Sequence, residues 1–257
     1  MISEHALVHP EAKIGANVEI GPFSYIGPGV EIGDDCWIGS HVVIKGPAKI
    51  GKGNKFFQFS SIGEDCQDKK FKADEVTWLE IGDNNIFREC CTVHRGTTQD
   101  NSLTKIGSNN LFMAYTHVAH DCIVGNNVIL ANNASIAGHV KVDDWAILGG
   151  MTGVHQFVHI GAHAFTAGCS LVLQDVPPYV MVSGQSAAPR AINSEGLKRR
   201  QFSKETILAI RRAYKVLYRS GLTSAEALTE IRAIAAEHPE VACMADFVEG
   251  SGRGIVR

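Results

Sequence analysis

Three aliphatic residues stand six positions apart in Ile14-Gly15-Ala16-Asn17-Val18-Glu19-Ile20-Gly21-Pro22-Phe23-Ser24-Tyr25-Ile26-Gly27. The same period extends outward on both sides, and its first unbroken run is Val8, Ile14, Ile20, Ile26, Ile32, Ile38, Ile44, Ile50, Phe56 and Ile62. It resumes at Ile81, Phe87 and Val93, and again at every sixth position from Ile106 to Ile160. Neither an α-helix nor a lone amphipathic strand repeats at six, whereas a hexapeptide parallel β-helix does. The sequence therefore predicts an all-β domain of stacked coils.

Glycine follows many of these aliphatic residues, as at Gly15, Gly21 and Gly33. We expect each hexad to supply one short strand and one corner. Glycine suits a corner because it tolerates positive φ and lets another stretch of backbone come close.

The repeat resembles that of the hexapeptide-repeat acyltransferases. The resemblance implies a left-handed, triangular parallel β-helix with three hexads per coil. Residues eighteen apart then lie above one another, separated by about 4.8 Å.

Two polar segments, 63–80 and 94–105, interrupt the period. They must leave the helix as loops, and such loops often carry functional residues. Pro177-Pro178 is predicted to end the β-helix, because adjacent prolines cannot continue a paired strand. We therefore predict a β-helix domain over residues 1–190.

The remaining chain, residues 191–257, is predicted to form a small helical domain that covers the open end of the β-helix. Ser203 can cap a helix that runs to about Tyr218. Thr223-Ser224-Ala225-Glu226 reads as a capping box that opens a second helix to about Glu237, and a short helix follows near 243–249.

Composition excludes several classes of protein. A net charge of −3 over 257 residues argues against bulk nucleic-acid binding. No run of 18 apolar residues and no basic segment followed by an apolar one occur, so we expect neither a membrane span nor a signal peptide. Seven cysteines without a CxxC spacing favour reduced thiols, hence a cytoplasmic protein.

The candidate chemistry is concentrated in Thr116-His117-Val118-Ala119-His120-Asp121-Cys122. If Val118 points inward, both histidines can point outward, and an imidazole beside a carboxylate can act as a general base. In the eighteen-residue register, His139 lies above Asp121 and Gly138 above His120. Gly138 leaves its N–H open to support an oxyanion. Asp121 could orient His120, although neighbours on a strand point to opposite sides, which leaves their contact open.

The same register continues to Gln156 and brings His155 close. A zinc ion held by His117, His120 and His139, as in β-helix carbonic anhydrases, is the alternative for this cluster. A hydrase would not need the loop with Gln67-Asp68 or the segment 193–200. We therefore predict no metal and no cofactor.

Motifs along the whole chain resemble those of the acyl-[acyl-carrier-protein]–UDP-N-acetylglucosamine O-acyltransferases, the family that begins lipid A synthesis. They are Phe57–Glu64, Gln67-Asp68, His94–Thr97, Thr116–Asp121, Ala137–Val140, Val154–Phe157, Asp175–Val180 and Asn193–Arg200. The segment Phe71–Trp78 departs from the family pattern.

The resemblance implies a homotrimer with each active site between neighbouring β-helices. It implies a 3-hydroxyacyl carrier-protein thioester and UDP-N-acetylglucosamine as substrates, with transfer to the sugar 3-hydroxyl. His120 becomes the general base, Gly138 the oxyanion donor and Asp121 its catalytic neighbour. The implied substrate-binding residues are Gln67, Asp68, His117, His139, His155 and Gln156, with Asn193, Glu195, Arg199 and Arg200 at the uridine diphosphate.

Small residues stack in two columns: Ala131, Gly149 and Ala167 form one, and Gly150 and Gly168 stand above Asn132 in the other. We predict an acyl-chain lane along Met113, Ala131, Gly150 and Gly168, since family members measure their acyl chain in this region. Glycine at 168 predicts a long donor, of the dodecanoyl to tetradecanoyl class. The alternative is that small residues let trimer faces approach.

Three other functions remain open from sequence. A related N-acyltransferase of the same pathway would accept the amine product, a carbonic anhydrase would contain zinc, and a non-catalytic scaffold would tolerate the loss of His120.

Overall fold

The computed structural model describes residues 1–72 and 74–257, leaving out Ala73 of the atypical 71–78 segment. Its strands, in chain order, are β1 (Leu7–Val8), β2 (Lys13–Ile14), β3 (Glu19–Ile20), β4 (Tyr25–Ile26), β5 (Val30–Ile32), β6 (Trp37–Ile38), β7 (Val43–Ile44), β8 (Ala48–Ile50), β9 (Lys55–Phe56), β10 (Ser61–Glu64), β11 (Trp78–Ile81), β12 (Ile86–Phe87), β13 (Thr92–His94), β14 (Leu103–Ile106), β15 (Leu111–Phe112), β16 (His117–Val118), β17 (Ile123–Val124), β18 (Ile129–Leu130), β19 (Ser135–Ile136), β20 (Lys141–Val142), β21 (Ile147–Leu148), β22 (Gly153–Val154), β23 (His159–Ile160), β24 (Phe165–Thr166), β25 (Leu171–Val172), β26 (Val180–Ser183) and β27 (Ala188–Ile192).

These strands form three sheets, and each coil contributes one strand to each. The first face runs from β1 through every third strand to β25, the second from β2 to β23, and the third from β3 to β27. Pairing is parallel up to β26 and is offset by eighteen residues wherever no loop interrupts the coil, as in Leu7↔Tyr25 and His117↔Ser135. The predicted parallel β-helix is confirmed.

The inward position of each strand fills the core. The repeating residues from Ile20 to Ile160 are buried, and Phe56, Phe87 and Phe112 stack with ring centroids 4.9 and 4.6 Å apart. Full burial of each such side chain contributes about 1.5–3 kcal/mol. Because one coil pairs directly with the next, this hydrophobic column is continuous.

A ladder of buried asparagines runs beside the aromatic stack. The Asn54 Oδ1 accepts from the Asn85 N–H at 2.9 Å, and the Asn85 Oδ1 accepts from the Asn110 N–H at 2.9 Å. The Asn110 Oδ1 accepts from the Val128 N–H, and the amide nitrogens donate to glycine carbonyls of the corners. Burying these amides is tolerable because both ends are hydrogen-bonded.

The prediction that the corner glycines have positive φ is wrong. Left-handed φ falls instead three residues after the inward position, on non-glycine residues such as Asn17 (57°), Phe23 (61°) and Asp35 (58°). The corner glycines are needed because the backbone of the next coil comes close to them, as the sequence also predicts. A Cβ on Gly15 would lie 2.7 Å from the Gly33 carbonyl carbon, and one on Gly33 would lie 2.8 Å from that of Gly51.

The β-helix continues past the proline pair, so the prediction that Pro177-Pro178 ends it is wrong. The prolines occupy a corner, where no ladder N–H is required. The third face then gains β26, parallel to β24, and β27, antiparallel to β26.

The chain after β27 forms α1 (Ser194–Arg199), α2 (Lys204–Arg219), α3 (Ser224–Glu237), a 3-10 turn (Pro239–Val241) and α4 (Ala242–Gly250). The Ser203 cap and the Thr223–Glu226 capping box are present as predicted. The tail is fastened to the β-helix, where the Tyr179 hydroxyl donates to the Glu240 carbonyl at 2.8 Å. Within the described residues, no helix is long and apolar enough to cross a membrane.

Candidate active site

Most of the predicted catalytic residues lie on one corner of the β-helix, where the first face turns into the second. In β16 the Val118 side chain points into the core and His117 points outward. The corner that follows carries His120 and Asp121, and the next coil places Gly138 and His139 above them, with the His139 N–H donating to the His120 carbonyl at 3.0 Å. The periodic backbone therefore gathers these side chains.

His120 and Asp121 form a hydrogen-bonded pair. The His120 Nδ1 lies 2.8 Å from the Asp121 Oδ2. The strand rule that left this contact open does not apply, because Asp121 has φ 57° and turns the corner. With Nδ1 directed at the carboxylate, the Nε2 of His120 is left for the cavity.

A loop fixes the Asp121 carboxylate from behind. The Thr97 N–H donates to Oδ1 at 2.9 Å and the Thr97 hydroxyl to Oδ2 at 2.6 Å. The Thr104 hydroxyl accepts from the Asp121 N–H at 2.8 Å. Burial alone would raise the pKa of Asp121, but the hydrogen bonds from His120 and Thr97 outweigh it and lower the pKa. The carboxylate is thereby held ionised beside the imidazole.

His139 is positioned by a second residue of the same loop. Its Nδ1 lies 2.8 Å from the Asp100 Oδ2, and its ring stacks on Phe157 with centroids 4.3 Å apart. Its Nε2 lies 3.9 Å from the Asp121 Oδ2. Thr97 belongs to the His94–Thr97 motif but has no role assigned from sequence, and Asp100 is not singled out, because loop residues lie outside the hexad register.

His117 lies next to a histidine that the predicted set omitted. The His117 Nδ1 lies 2.7 Å from the Thr92 hydroxyl, and its ring meets the His94 ring edge-on at 4.9 Å. Burial lowers the pKa of His94 to about 4, and it lowers the pKa of His117 as well. Both imidazoles are therefore neutral near pH 7.

Gly138 is required by the position of His120. A Cβ at residue 138 would stand 2.5 Å from the His120 Cε1 and 2.6 Å from its Nε2. The Gly138 N–H has no acceptor among residues 1–72 and 74–257. A free N–H therefore lies beside the imidazole, as predicted from the register.

A cavity of about 470 Å³ opens in front of this corner. Its lining includes the predicted residues Gln67, Asp68, His117, His120, Gly138 and His155. It also includes His94, Ser135, Gly153 and Leu171, which were not predicted. Ser135, Gly153 and Leu171 could have been found by adding eighteen repeatedly to His117, the operation that found Gly138. Gln156 is exposed and does not line the cavity.

The remaining predicted binding residues lie elsewhere on the molecule. Asn193, Glu195, Arg199 and Arg200 line a second cavity, of about 580 Å³, between α1 and the strands of the third face. One chain therefore does not bring them to His120.

Arg200 is held firmly in this second cavity. Its guanidinium lies 5.0 Å from the centre of the Trp145 ring, donates to the Trp145 carbonyl at 3.0 Å and lies 3.3 Å from the His163 Nδ1. Burial, with the Arg200 charge second, lowers the pKa of His163 to about 4, so the imidazole accepts from Arg200 in its neutral form. Asn193 caps α1 by accepting from the Gly196 N–H, so part of its hydrogen-bonding capacity is structural.

The predicted acyl lane lies on the corner between the third and first faces. Met113, Ala131, Gly150 and Gly168 do not line the 470 Å³ cavity, but they lie one corner from Ser135 and Gly153, which do. A Cβ on Gly168 would meet only the Gly150 carbonyl oxygen, at 3.3 Å. The lane remains a prediction.

The zinc alternative receives a specific geometry. The His120, Asp121 and His139 side chains offer ligand atoms within 4.8 Å of one another, whereas the predicted set had His117 in place of Asp121. A metal there would have to replace the hydrogen bond between His120 and Asp121, on a carboxylate that already accepts from Thr97. Acid–base chemistry fits these contacts better than a metal site.

A triangular helix of hexapeptide repeats that presents a histidine–aspartate pair to a cavity defines a hexapeptide-repeat acyltransferase. A family model described as bacterial transferase hexapeptide (six repeats) matches residues 11–46 and 103–138. Another, described as UDP N-acetylglucosamine O-acyltransferase, domain 2, matches residues 175–256.

Solved structures resemble this chain over its whole length. The Acinetobacter baumannii LpxA is 51% identical, with a TM-score of 0.97 over 100% of this chain and 99% of that one. The Francisella novicida UDP-N-acetylglucosamine acyltransferase is 46% identical, with a TM-score of 0.98 over 100% and 94%. The Arabidopsis enzyme of that name is 36% identical, with a TM-score of 0.88 over 100% of both chains. The chain belongs to the UDP-N-acetylglucosamine O-acyltransferase family, and its β-helix is left-handed.

Proposed function

We propose that this protein transfers a 3-hydroxyacyl chain from an acyl carrier protein to the 3-hydroxyl of UDP-N-acetylglucosamine, the first step of lipid A biosynthesis. The observation that carries the proposal is the His120–Asp121 pair, 2.8 Å apart, beside the free Gly138 N–H. Family membership supplies the two substrates.

The pair can perform acyl transfer without a metal or cofactor. With its Nδ1–H donated to Asp121, His120 takes the sugar hydroxyl proton at Nε2 while that oxygen attacks the thioester carbonyl. The Gly138 N–H donates to the oxyanion that forms. When the tetrahedral intermediate collapses, the C–S bond breaks and the protonated His120 gives its proton to the departing thiolate. The products are the O-acylated sugar nucleotide and the carrier thiol.

The two separate cavities support a homotrimer with shared active sites. His120 lies on the corner between the first and second faces, whereas Arg199 and Arg200 lie against the third face. One UDP-N-acetylglucosamine can meet both groups only when the third-face cavity of one subunit faces the catalytic corner of its neighbour. We therefore propose that Arg199 and Arg200 bind the diphosphate on behalf of the adjacent subunit.

A basic groove on α2 supports the acyl carrier protein as donor. Arg211, Arg212 and Lys215 supply its positive charge, and Glu205, the exposed Leu208 and His238 complete the lining of this cavity of about 420 Å³. Acyl carrier proteins are acidic, and complementary charge favours their docking on such a surface. We therefore propose that the reaction takes place in the cytoplasm, where a carrier-protein donor would be available.

The decisive experiment is mass spectrometry of the product formed from UDP-N-acetylglucosamine and a series of 3-hydroxyacyl carrier thioesters. We expect an ester at the sugar 3-position. The His120→Ala variant is the matched control. Acylation of an amino sugar only would favour the N-acyltransferase alternative, and no acyl product from either sugar would reject the proposal.

A further inference from the structure

The last residues of the chain return to the β-helix next to the catalytic corner. The Val256 N–H donates to the Asp175 carbonyl at 2.9 Å, and the Ser251 hydroxyl donates to the Asp175 Oδ2 at 2.7 Å. The other carboxylate oxygen of Asp175 accepts from the His159 N–H at 2.8 Å, and Ile255 and Val256 are buried. The segment 251–256 is thus fastened at both ends.

This fastening presents Arg253 to the catalytic cavity. Its Nη2 lies 3.4 Å from the Nδ1 of His155, a residue of the cavity lining. The guanidinium is exposed, and no carboxylate of the described chain lies within 4.0 Å of it. Arg253 therefore lies at the rim of the cavity with no anionic partner among residues 1–72 and 74–257.

The cavity lining itself contains no lysine or arginine among the described residues, and its one formal charge is the carboxylate of Asp68. Arg95 follows His94 directly in the sequence, but its guanidinium donates hydrogen bonds to the Asp65 carboxylate and to the Gly63 carbonyl. Both proposed substrates carry phosphate oxygens: a diphosphate in the sugar nucleotide and a phosphodiester in the carrier's prosthetic arm. Arg199 and Arg200 of the adjacent subunit are proposed above for the diphosphate, and on the chain that carries His120 the cation at the rim of this cavity is Arg253.

We propose that Arg253 is an anion-binding residue of the catalytic cavity, which takes a phosphate oxygen of one of the two substrates. The inference rests on the proposed function for the identity of those substrates. The His155 Nδ1 also lies 3.0 Å from the Gln156 carbonyl oxygen, which can only accept, so Nδ1 carries the proton and donates there, and the Arg253 N–H groups are left for the anion. Arg suits the task because its planar fork pairs with phosphate oxygens.

The test compares Arg253→Ala with Arg257→Ala, a control in the same tail whose guanidinium donates to Ser224. We expect Arg253→Ala to raise one KM by about tenfold or more, the size of a lost charge-assisted hydrogen bond, with kcat changed less. A rise in KM for UDP-N-acetylglucosamine assigns Arg253 to the diphosphate, and a rise for the acyl carrier assigns it to the phosphodiester. Arg253→Lys should restore part of the loss. Unchanged KM values for both substrates overturn the inference.

A second measurement separates this inference from the proposed function. Calorimetric titration of wild type and Arg253→Ala with UDP-N-acetylglucosamine alone, and with the carrier alone, needs no turnover. Weaker binding of either one by the variant supports Arg253 even if no acyl product forms, and equal binding of both refutes it. An inactive wild type refutes the proposed function only.

Discussion

At the scale of single residues, the chemistry depends on the His120 imidazole. Its side chain lies outside the hydrophobic column, so its removal should leave the fold intact. We expect His120→Ala to lower kcat by about 10²–10⁴, the usual contribution of a general base. His41→Ala, an exposed histidine that stacks on Phe59 at another corner, is the control. Near-normal turnover in His120→Ala, with an unchanged melting temperature in both variants, would remove His120 from the mechanism.

Thr97 sets the ionisation of Asp121. Because its hydroxyl and N–H stabilise the carboxylate, Thr97→Val should let the pKa of Asp121 rise towards its usual value. The lowered pKa keeps Asp121 charged down to acidic pH, so a weaker hydrogen-bond network should move the acidic limb of the kcat profile to higher pH. Thr97→Ser keeps the hydroxyl and should restore the profile. An acidic limb that is identical in Thr97→Val would show that Thr97 has no influence on Asp121.

The residues of the site divide by how the sequence encodes them. Gly138 and His139 follow from adding eighteen to His120 and Asp121 along a periodic backbone, so their proximity could be predicted. Thr97 and Asp100 could not, because a loop without a repeat has no register. The contact between His120 and Asp121 stays open from sequence for a related reason: the left-handed corner at Asp121 changes the side-chain direction that a strand would give.

At the scale of elements, the corner glycines limit the spacing of the coils. A Cβ on Gly33 would stand 2.8 Å from backbone of the next coil, where no flexible side chain can move aside. Overpacking of this kind costs about 1–3 kcal/mol, and we expect Gly33→Ala to lower the free energy of unfolding by that amount in urea titrations. Gly250→Ala is the control, since no atom of the described residues outside its own helix backbone and chain neighbours lies within 4 Å of its added Cβ. Equal stability of the two variants would mean that the coils can separate locally.

The predicted lane on the corner between the third and first faces is also tested at this scale. Gly168→Met should place a side chain across the lane and shift the preferred donor from the dodecanoyl–tetradecanoyl class towards the decanoyl one. Each methylene that is no longer buried costs about 0.8 kcal/mol, so the shift should be large. The measurement is kcat/KM for a donor series on both proteins. If the preference stays the same, the chain does not pass residue 168.

The end of the β-helix shows the limit of reasoning from one residue type. From sequence, Pro177-Pro178 predicts a break in the strand, but both prolines lie in a corner and β26 begins only at Val180. Whether a proline interrupts a strand depends on where the corner falls. The capped helices α2 and α3 were predicted more closely, because Ser203 and the Thr223–Glu226 box act on adjacent backbone.

At the scale of the whole molecule, the proposed shared sites predict complementation. A homotrimer of His120→Ala has no functional catalytic corner, and a homotrimer of Arg200→Ala has no functional third-face cavity. The activity of each homotrimer should therefore be impaired. In mixed trimers, formed by refolding the two variants together, some interfaces combine an intact corner with an intact cavity. We expect activity to return to roughly a quarter of wild type at equal mixing, if assembly is random and the intact halves act independently. Activity no greater than the average of the two separate variants would mean that each chain forms its site alone.

The offset of eighteen residues between paired strands has a consequence for the height of the molecule. Loops can lengthen a coil without raising it: Ser61 pairs with Thr92, thirty-one residues on, yet the strands remain neighbours in the same ladder. The height of the β-helix therefore increases in steps of one whole coil, about 4.8 Å each. The number of residues in the chain does not determine this height. Insertion of one coil between the catalytic corner and α1 would lift the nucleotide cavity by that one step. Lengthening of the 65–77 loop by the same number of residues would leave the relative height of the two cavities unchanged.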